Sequence, residues 1–274
     1  MPGKLNLSTL LEEAHFELIP LKNVEEEIKY IPTGSTIAVT ASPKKTLEAT
    51  LALSEKFAAQ NFHVVPHLAA RQVTNKEHLR ELVKRLTDNG FDEVFVIGGD
   101  ATEPAGPYHS AALLLADMVT FEKYPKRIGI GCYPEGHYLI KNEMLFEALL
   151  QKQKYAHYMI TQICFDSKAI ESWLKDARQR GITLPVYIGI PGVLKRQKLL
   201  EISLKLGITT STRFLKHNFG LVTTLLKRDM YTPDKLVSQS LKMSEIPGCE
   251  IAGFHIYTFN QCQTTVEWIQ RNIR

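Results

Sequence analysis

The chain has 274 residues and no apolar run of 18 or more, so no membrane-spanning helix is expected. Its first residues, MPGKLNLSTLLEEAHFELIP, lack a continuous apolar stretch closed by small residues, which argues against a secretory leader. Cysteine is scarce. Cys132, Cys164, Cys249 and Cys262 share no C-x-x-C spacing, and three of them fall in or beside apolar segments. Buried free thiols in a reducing, cytoplasmic setting follow. Excess charge is also small. A formal net charge of +4 suits an anionic small-molecule ligand, and it is too modest and too dispersed for nucleic acid. No G-x-G-x-x-G or G-x-x-x-x-G-K-[ST] run occurs, which removes the usual phosphate loops. The absence of G-x-S-x-G argues against serine hydrolase chemistry.

What is present is a series of eight short apolar segments: His15–Pro20, Ser35–Ser42, Phe62–Ala70, Glu93–Asp100, Arg127–Tyr133, His157–Asp166, Pro185–Val193 and Gly253–Asn260. They are rich in Val, Ile, Phe and Tyr and several read as buried strands. Helical patterns lie between them. Pro43–Gln60 sets Leu47, Thr50, Leu51, Ser54 and Phe57 on one face. Asn75–Asn89 does the same with Leu79, Leu82, Val83 and Leu86, and Gly90 follows as a stop. Further helices are expected over Ser110–Phe121, Ile140–Tyr155, Lys168–Arg180, Lys195–Leu206, Pro233–Ser244 and Thr264–Arg274. An extra one, Thr212–Lys227, precedes the eighth strand. Eightfold alternation predicts an α/β fold, a parallel (β/α)8 TIM barrel, as one domain over residues 1–274. An open doubly wound sheet is the alternative.

In such a barrel, ligands meet the C-terminal ends of the strands. Seven of the eight ends carry polar residues: Glu17, Thr40, His67, Asp100, Tyr133 with Glu135 and His137, Gln162 with Asp166, and Tyr257 with Asn260. Glu17 shares a strand face with His15 and Ile19, so it is expected to point inward, where lost hydration would raise its pKa and suit it to general acid work. The structural alternative is a Glu paired with a barrel Lys or Arg. Asp100 follows Gly98-Gly99, where a flat ligand could approach the backbone, and it could equally cap a helix. His67 could be a ligand contact or a packing residue. His67 and His137 with Glu135 could be read as metal ligands, but no short ligand spacing supports this, and no metal is assigned. Lys44-Lys45 and Lys195-Arg196 with Lys198 could hold ligand anions or form solvated helix faces.

FELIP at Phe16–Pro20, VTAS at Val39–Ser42, PHLAAR at Pro66–Arg71, GGD at Gly98–Asp100, YPEGH at Tyr133–His137, ITQICFD at Ile160–Asp166, IPG at Ile190–Gly192 and FHIYTFN at Phe254–Asn260 occur in one order over nearly the whole chain. In these pieces the chain resembles the methylenetetrahydrofolate reductases, which are (β/α)8 barrels. The resemblance implies an oxidoreductase of one-carbon metabolism that interconverts methylene- and methyl-tetrahydrofolate with NAD(P)H. It implies Glu17 and Asp100 as catalytic groups, with Asp100, Gln162 and Tyr257 on the folate. Thr40, His67, Tyr133 and His137 would line the flavin or pterin side of the mouth. The departures from the family bear on FAD. Gly98 stands where the family has an arginine. Phe146 and Leu149 take the places of an Asp and an Asn that hold the far part of FAD. Lys152 offers one replacement charge. The loop after IPG is shorter and lacks the family's aromatic. Thr-Leu-Asn-Arg becomes Thr258-Phe259-Asn260-Gln261. The chain is similar to a divergent, actinobacterial-like subgroup proposed to act without flavin, so FAD is doubted here. The expected partners are folate and nicotinamide small molecules, with neither nucleic acid nor membrane, and a homo-oligomer is compatible. A non-redox folate-binding protein or accessory subunit is the second reading.

Overall fold

A computed structural model describes residues 6–41, 45–205 and 230–273. Its centre is a closed barrel of eight parallel strands. These are β1 (His15–Leu18), β2 (Thr36–Val39), β3 (His63–Ala69), β4 (Glu93–Ile97), β5 (Arg127–Cys132), β6 (Tyr158–Thr161), β7 (Val186–Pro191) and, after a short ribbon, β10 (Ile251–Tyr257). Around the barrel each strand pairs with its neighbour in sequence, and β10 closes against β1, with His15 beside His255 and Glu17 beside Tyr257. Seven of the eight strands fall inside the apolar segments read above, and β10 starts two residues ahead of its segment, at Ile251. The ribbon, β8 (Leu194–Lys195) with β9 (Met230–Tyr231), is antiparallel and was not foreseen. The extra helix expected at Thr212–Lys227 lies outside the described residues.

The helices obey local rules. In α3 (Leu47–Ala58), the Thr46 hydroxyl accepts from the Ala49 amide, and the buried face is Leu47, Thr50, Leu51, Ser54 and Phe57. In α4 (Lys76–Asp88), Asn75 accepts from the His78 amide, and Leu79, Leu82, Val83 and Leu86 are buried. Gly90 then takes a φ of +77°, which a left-handed stop requires. The remaining outer helices include α5 (Ala111–Met118), α6 (Asn142–Lys152), α7 (Ser167–Gln179), α8 (Arg196–Lys205), α9 (Asp234–Met243) and α10 (Cys262–Asn272). Two α-helices lie before β2 and were not anticipated, α1 (Leu7–Glu12) and α2 (Val24–Glu27), the second running on into a 3-10 turn at Ile28–Tyr30. All four cysteines are buried and free, and no helix among the described residues is long and apolar enough to cross a membrane.

The main apolar core fills the space between strands and helices, and a second, smaller one fills the barrel itself: Val65, Phe95, Tyr158 and Ile160, packed against Ile97 and Tyr187. Tyrosines complete this inner core by lying across glycines. A Cβ on Gly129 would come within 2.4 Å of Tyr158 Cζ, its register partner on β6. One on Gly253 would approach Tyr187 to 2.9 Å, and one on Gly189 would approach Tyr257 to 2.7 Å. The N-terminal end of the barrel is closed by charge. The buried Glu93 carboxylate accepts from Arg127 at 3.1 Å and lies 3.1 Å from His63 Nε2, while Arg127 also donates to the Tyr187 hydroxyl at 3.1 Å. His15 stacks on Tyr187 at 4.4 Å between ring centres.

Candidate active site

Glu17 sits at the C-terminal end of β1, where strand alternation turns it into the barrel. The chain around it is held from two sides. The Thr258 hydroxyl donates to the Glu17 carbonyl at 2.6 Å. Asn260 brackets the next turn of chain, accepting from the Ile19 amide at 2.9 Å and donating to the Ile19 carbonyl at 2.9 Å and to Asn23 at 3.2 Å. To do so, Phe259 and Asn260 adopt φ values of 48° and 53°. Such left-handed residues cost on the order of 1–3 kcal/mol each and persist where surrounding bonds over-determine them. Asn260 thus serves as a clamp on β1.

Among the described residues the Glu17 carboxyl faces no lysine or arginine. Its hydrogen-bond partner is His255 of β10, with 3.2 Å between Nε2 and Oε2. The side chain keeps 12% of its surface exposed, and burial raises its pKa from 4.5 to about 7, partly opposed by His67. Both histidines are themselves held neutral by burial, His67 pushed down to about 4 and His255 to about 3. His67 Nε2 is buried without a partner, and its ring packs on Phe95 at 4.7 Å. A carboxyl of this kind can carry a proton near neutrality and give it up.

The other mouth residues group around this pair. Tyr257, half-buried, donates to the Thr161 carbonyl at 2.9 Å and lies 5.0 Å from the His255 ring. Burial raises its pKa, and the charges of Glu17 and Tyr133 add to the effect. Tyr133 meets His137 edge to face at 5.3 Å. Burial and then the Asp100 charge lift the Tyr133 pKa to about 12; burial lowers that of His137 against the pull of the same Asp100. Asp100 is exposed and caps no helix, since α5 begins at Ala111 behind Ser110. Gly99 beneath it needs φ of +90°, and a Cβ there would touch Ala69 Cβ at 3.0 Å. Gly98 differs: a Cβ would meet nothing within 4 Å. Gln162 accepts from the Ile163 amide at 2.8 Å through Oε1, which leaves its amide nitrogen for a ligand. Thr40 uses its backbone, donating to the Leu18 carbonyl at 3.0 Å and accepting from the Thr50 hydroxyl at 3.2 Å. One side of the mouth is an apolar wall of Ile163, Leu194, Leu199 and Tyr231, flanked by Phe165, Tyr257 and Phe259.

Three polar residues are taken up locally. Glu135 Oε1 accepts from the Phe165 and Asp166 amides at 2.7 and 2.8 Å, while its Oε2 is buried without a partner. Asp166 caps α7 through the Lys168 amide. Lys152 donates to the Gly131 carbonyl at 3.0 Å, beside Cys132 of the outer core, and burial lowers its pKa to about 8. His255 was missed by sequence reasoning. The usable signal was its spacing of two from Tyr257, which puts both on the inward face of β10.

A family model described as methylenetetrahydrofolate reductase matches residues 21–272, which takes in every barrel strand except β1. The chain belongs to the methylenetetrahydrofolate reductase family. A curated relative, the probable methylenetetrahydrofolate reductase (NADPH) of Caenorhabditis elegans, is 24% identical over 213 residues. That match covers 71% of this chain and 30% of the relative, so the chain spans under a third of that relative's length. Among solved structures, a putative lyase/mutase from Burkholderia cenocepacia J2315 aligns with a TM-score of 0.49 at 10% identity, over 97% of this chain and 84% of its own. A chitinase from Rhizomucor miehei aligns with 0.47 at 7%, over 96% and 100%. Neither likeness bears on chemistry. In this member of the reductase family the polar residues described above cluster at the barrel mouth, with the buried carboxyl of Glu17 among them.

Proposed function

We propose that the protein reduces 5,10-methylenetetrahydrofolate to 5-methyltetrahydrofolate with NAD(P)H as hydride donor. The observation that carries this reading is Glu17, a buried carboxyl with a pKa near neutrality and no cationic partner among the described residues. A binding protein has no need of such a group, whereas ring opening of the substrate requires a proton. Glu17 gives its proton to a nitrogen of the five-membered ring as the C–N bond breaks. The electron-poor iminium carbon left behind accepts hydride and becomes the methyl group, so each turnover consumes one NAD(P)H and one proton. Asp100 orients the ring edge as a carboxylate facing paired N–H donors. Gln162, Tyr257 and the aromatic wall hold the flat substrate, and His67 contributes a buried nitrogen open to a ligand. Thr40, Tyr133 and His137 form the opposite rim, where the nicotinamide would lie. The same groups serve the reverse reaction.

The side chains at the positions where the family holds the far part of FAD do not fit its diphosphate. The diphosphate needs fixed cations or N–H groups to replace hydration. Phe146 and Leu149 are buried in the outer core, with Phe146 stacked on Trp173 at 5.6 Å. Lys152 is spent on Gly131. Arg71 is spent on the carbonyls of Ala101, Thr102 and His109. No step is therefore routed through a flavin.

The test is oxidation of NADH and of NADPH by purified protein with methylenetetrahydrofolate, followed at the nicotinamide band, with Glu17→Gln in parallel. Turnover by the wild type that collapses in the variant supports the reading. Tight folate binding without turnover under either nucleotide would return the chain to a non-redox binding role.

A further inference from the structure

The two oxygens of Glu17 have different surroundings. Oε2 lies 3.2 Å from His255 Nε2, whereas Oε1 takes no hydrogen bond among the described residues and is not among the buried atoms lacking a partner. Oε1 is thus the oxygen that reaches the mouth. His255 is 1% exposed, and its other nitrogen, Nδ1, is buried with no partner. Two neutral tautomers are open to it. With the hydrogen on Nδ1, the ring would bury an N–H with no acceptor. With the hydrogen on Nε2, Nδ1 is a bare lone pair and the N–H donates to Oε2. Buried N–H groups without acceptors are rarer in proteins than acceptors left unfilled, so the second tautomer is favoured. The consequence reaches Glu17. An oxygen already accepting from an N–H does not carry the acid's hydrogen along that line.

We propose that His255 is a positioning residue: its Nε2–H holds Oε2 of Glu17, so that the acid's proton is carried on Oε1, the oxygen facing the substrate. This rests on the reading of Glu17 as the general acid. In the transfer, the Oε1–H bond breaks and an N–H bond forms on the substrate, and the electron pair left on the carboxylate is shared with Oε2, where His255 already donates. The other titratable groups that face Glu17 are His67 of β3 and Tyr257 of β10. His15 lies farther down the barrel, its ring 6.1 Å from that of His255. Neither His67 nor Tyr257 makes a hydrogen bond to the carboxyl, because the Tyr257 hydroxyl is committed to Thr161 and His67 Nε2 has no partner.

The experiment compares His255→Gln, which keeps an N–H near the position of Nε2, with His255→Leu, which removes it. His255→Asn is too short to reach Oε2 and replaces the leucine variant if that one does not fold. Two readouts are taken. The first is the infrared C=O stretch of the protonated Glu17 carboxyl in ligand-free protein against pH, assigned by its absence in Glu17→Gln. The second is the pH profile of kcat and KM. Loss of a donor to the carboxylate should carry the infrared band and the alkaline limb of kcat upward by roughly one to two pH units. KM for the folate should stay nearly unchanged, and the glutamine variant should track the wild type. A band that titrates identically in wild type and leucine (or asparagine) variant overturns the proposal, and so does a glutamine variant that behaves like leucine. The infrared arm needs no turnover, so a wild type without reductase activity would defeat the functional reading alone and still leave the proton placement decided.

Discussion

Replacing Glu17 by glutamine separates what the acid does for chemistry from what it costs the fold. The side chain is 12% exposed and its pKa stands at about 7 in the folded protein against an ordinary 4.5. The folded state therefore holds a proton that the unfolded chain has released between those two values. A raised carboxyl pKa favours folding below pH 4.5, and that contribution is lost as pH climbs toward 7. Linkage puts the loss between pH 5 and pH 8 at about 2–3 kcal/mol. Glutamine has the same shape and no charge to bury, so Glu17→Gln should remove this part of the pH dependence. Relative to wild type, the variant should gain about 2–3 kcal/mol on going from pH 5 to pH 8. Glu135, also raised to about 7 by burial, contributes a similar slope to both proteins and cancels in the difference. So do the depressed histidines, whose slopes have the opposite sign. Urea unfolding at pH 5 and pH 8, followed by far-ultraviolet circular dichroism, measures the difference directly. Turnover in the same variant should fall by about 10²–10⁴-fold, the usual worth of a general acid. A stability difference that stays constant from pH 5 to pH 8 would refute the claim that Glu17 is buried as an acid.

Asp100→Asn should reduce folate affinity or turnover while leaving the melting temperature within about a degree or so, because the exposed carboxylate caps no helix; calorimetry beside the kinetic assay decides this, and a large drop in melting temperature would contradict it. Titration of purified protein with FAD, read by flavin fluorescence, should show no stoichiometric binding at sub-micromolar concentration, since Phe146 and Leu149 are apolar and buried where the family holds FAD and Lys152 is bonded to a carbonyl. Gly129→Ala should destabilise by about 1–3 kcal/mol or more in chemical denaturation, because the new methyl would stand 2.4 Å from the Tyr158 ring. A neutral result there would mean the ring swings aside freely.

The barrel was readable because its strands are nearly continuous apolar runs and its helices carry regular faces. The five buried positions of α3 and the four of α4 are those that a 3.6-residue period selects. The β8–β9 ribbon escaped notice because each strand is two residues long and its partner lies far away in sequence. Within the site, alternation was enough to turn Glu17 inward. It could not show that the partner would be His255, because that depends on the register between the first and last strands of a closed barrel. Nor could it separate polar residues left for ligands from those consumed by the fold. Asn260, Asp166, Glu135 and Lys152 all end on backbone groups, several of them in distant segments, and a backbone acceptor leaves no mark in side-chain identity.

The tyrosines laid across glycines tie the history of this barrel to pairs of positions. Gly129 and Tyr158 stand on different strands, yet neither can change first without penalty. A methyl on the glycine collides with the ring, and removal of the ring opens a hollow beside Glu93. The same holds for Gly253 with Tyr187. Substitutions at these four positions should be strongly non-additive, with Gly129→Ala less harmful when a smaller residue replaces Tyr158 than when it stands alone. The bore of the barrel is therefore inherited two residues at a time, and descendants of this sequence can widen or narrow it only by exchanging both members of a pair.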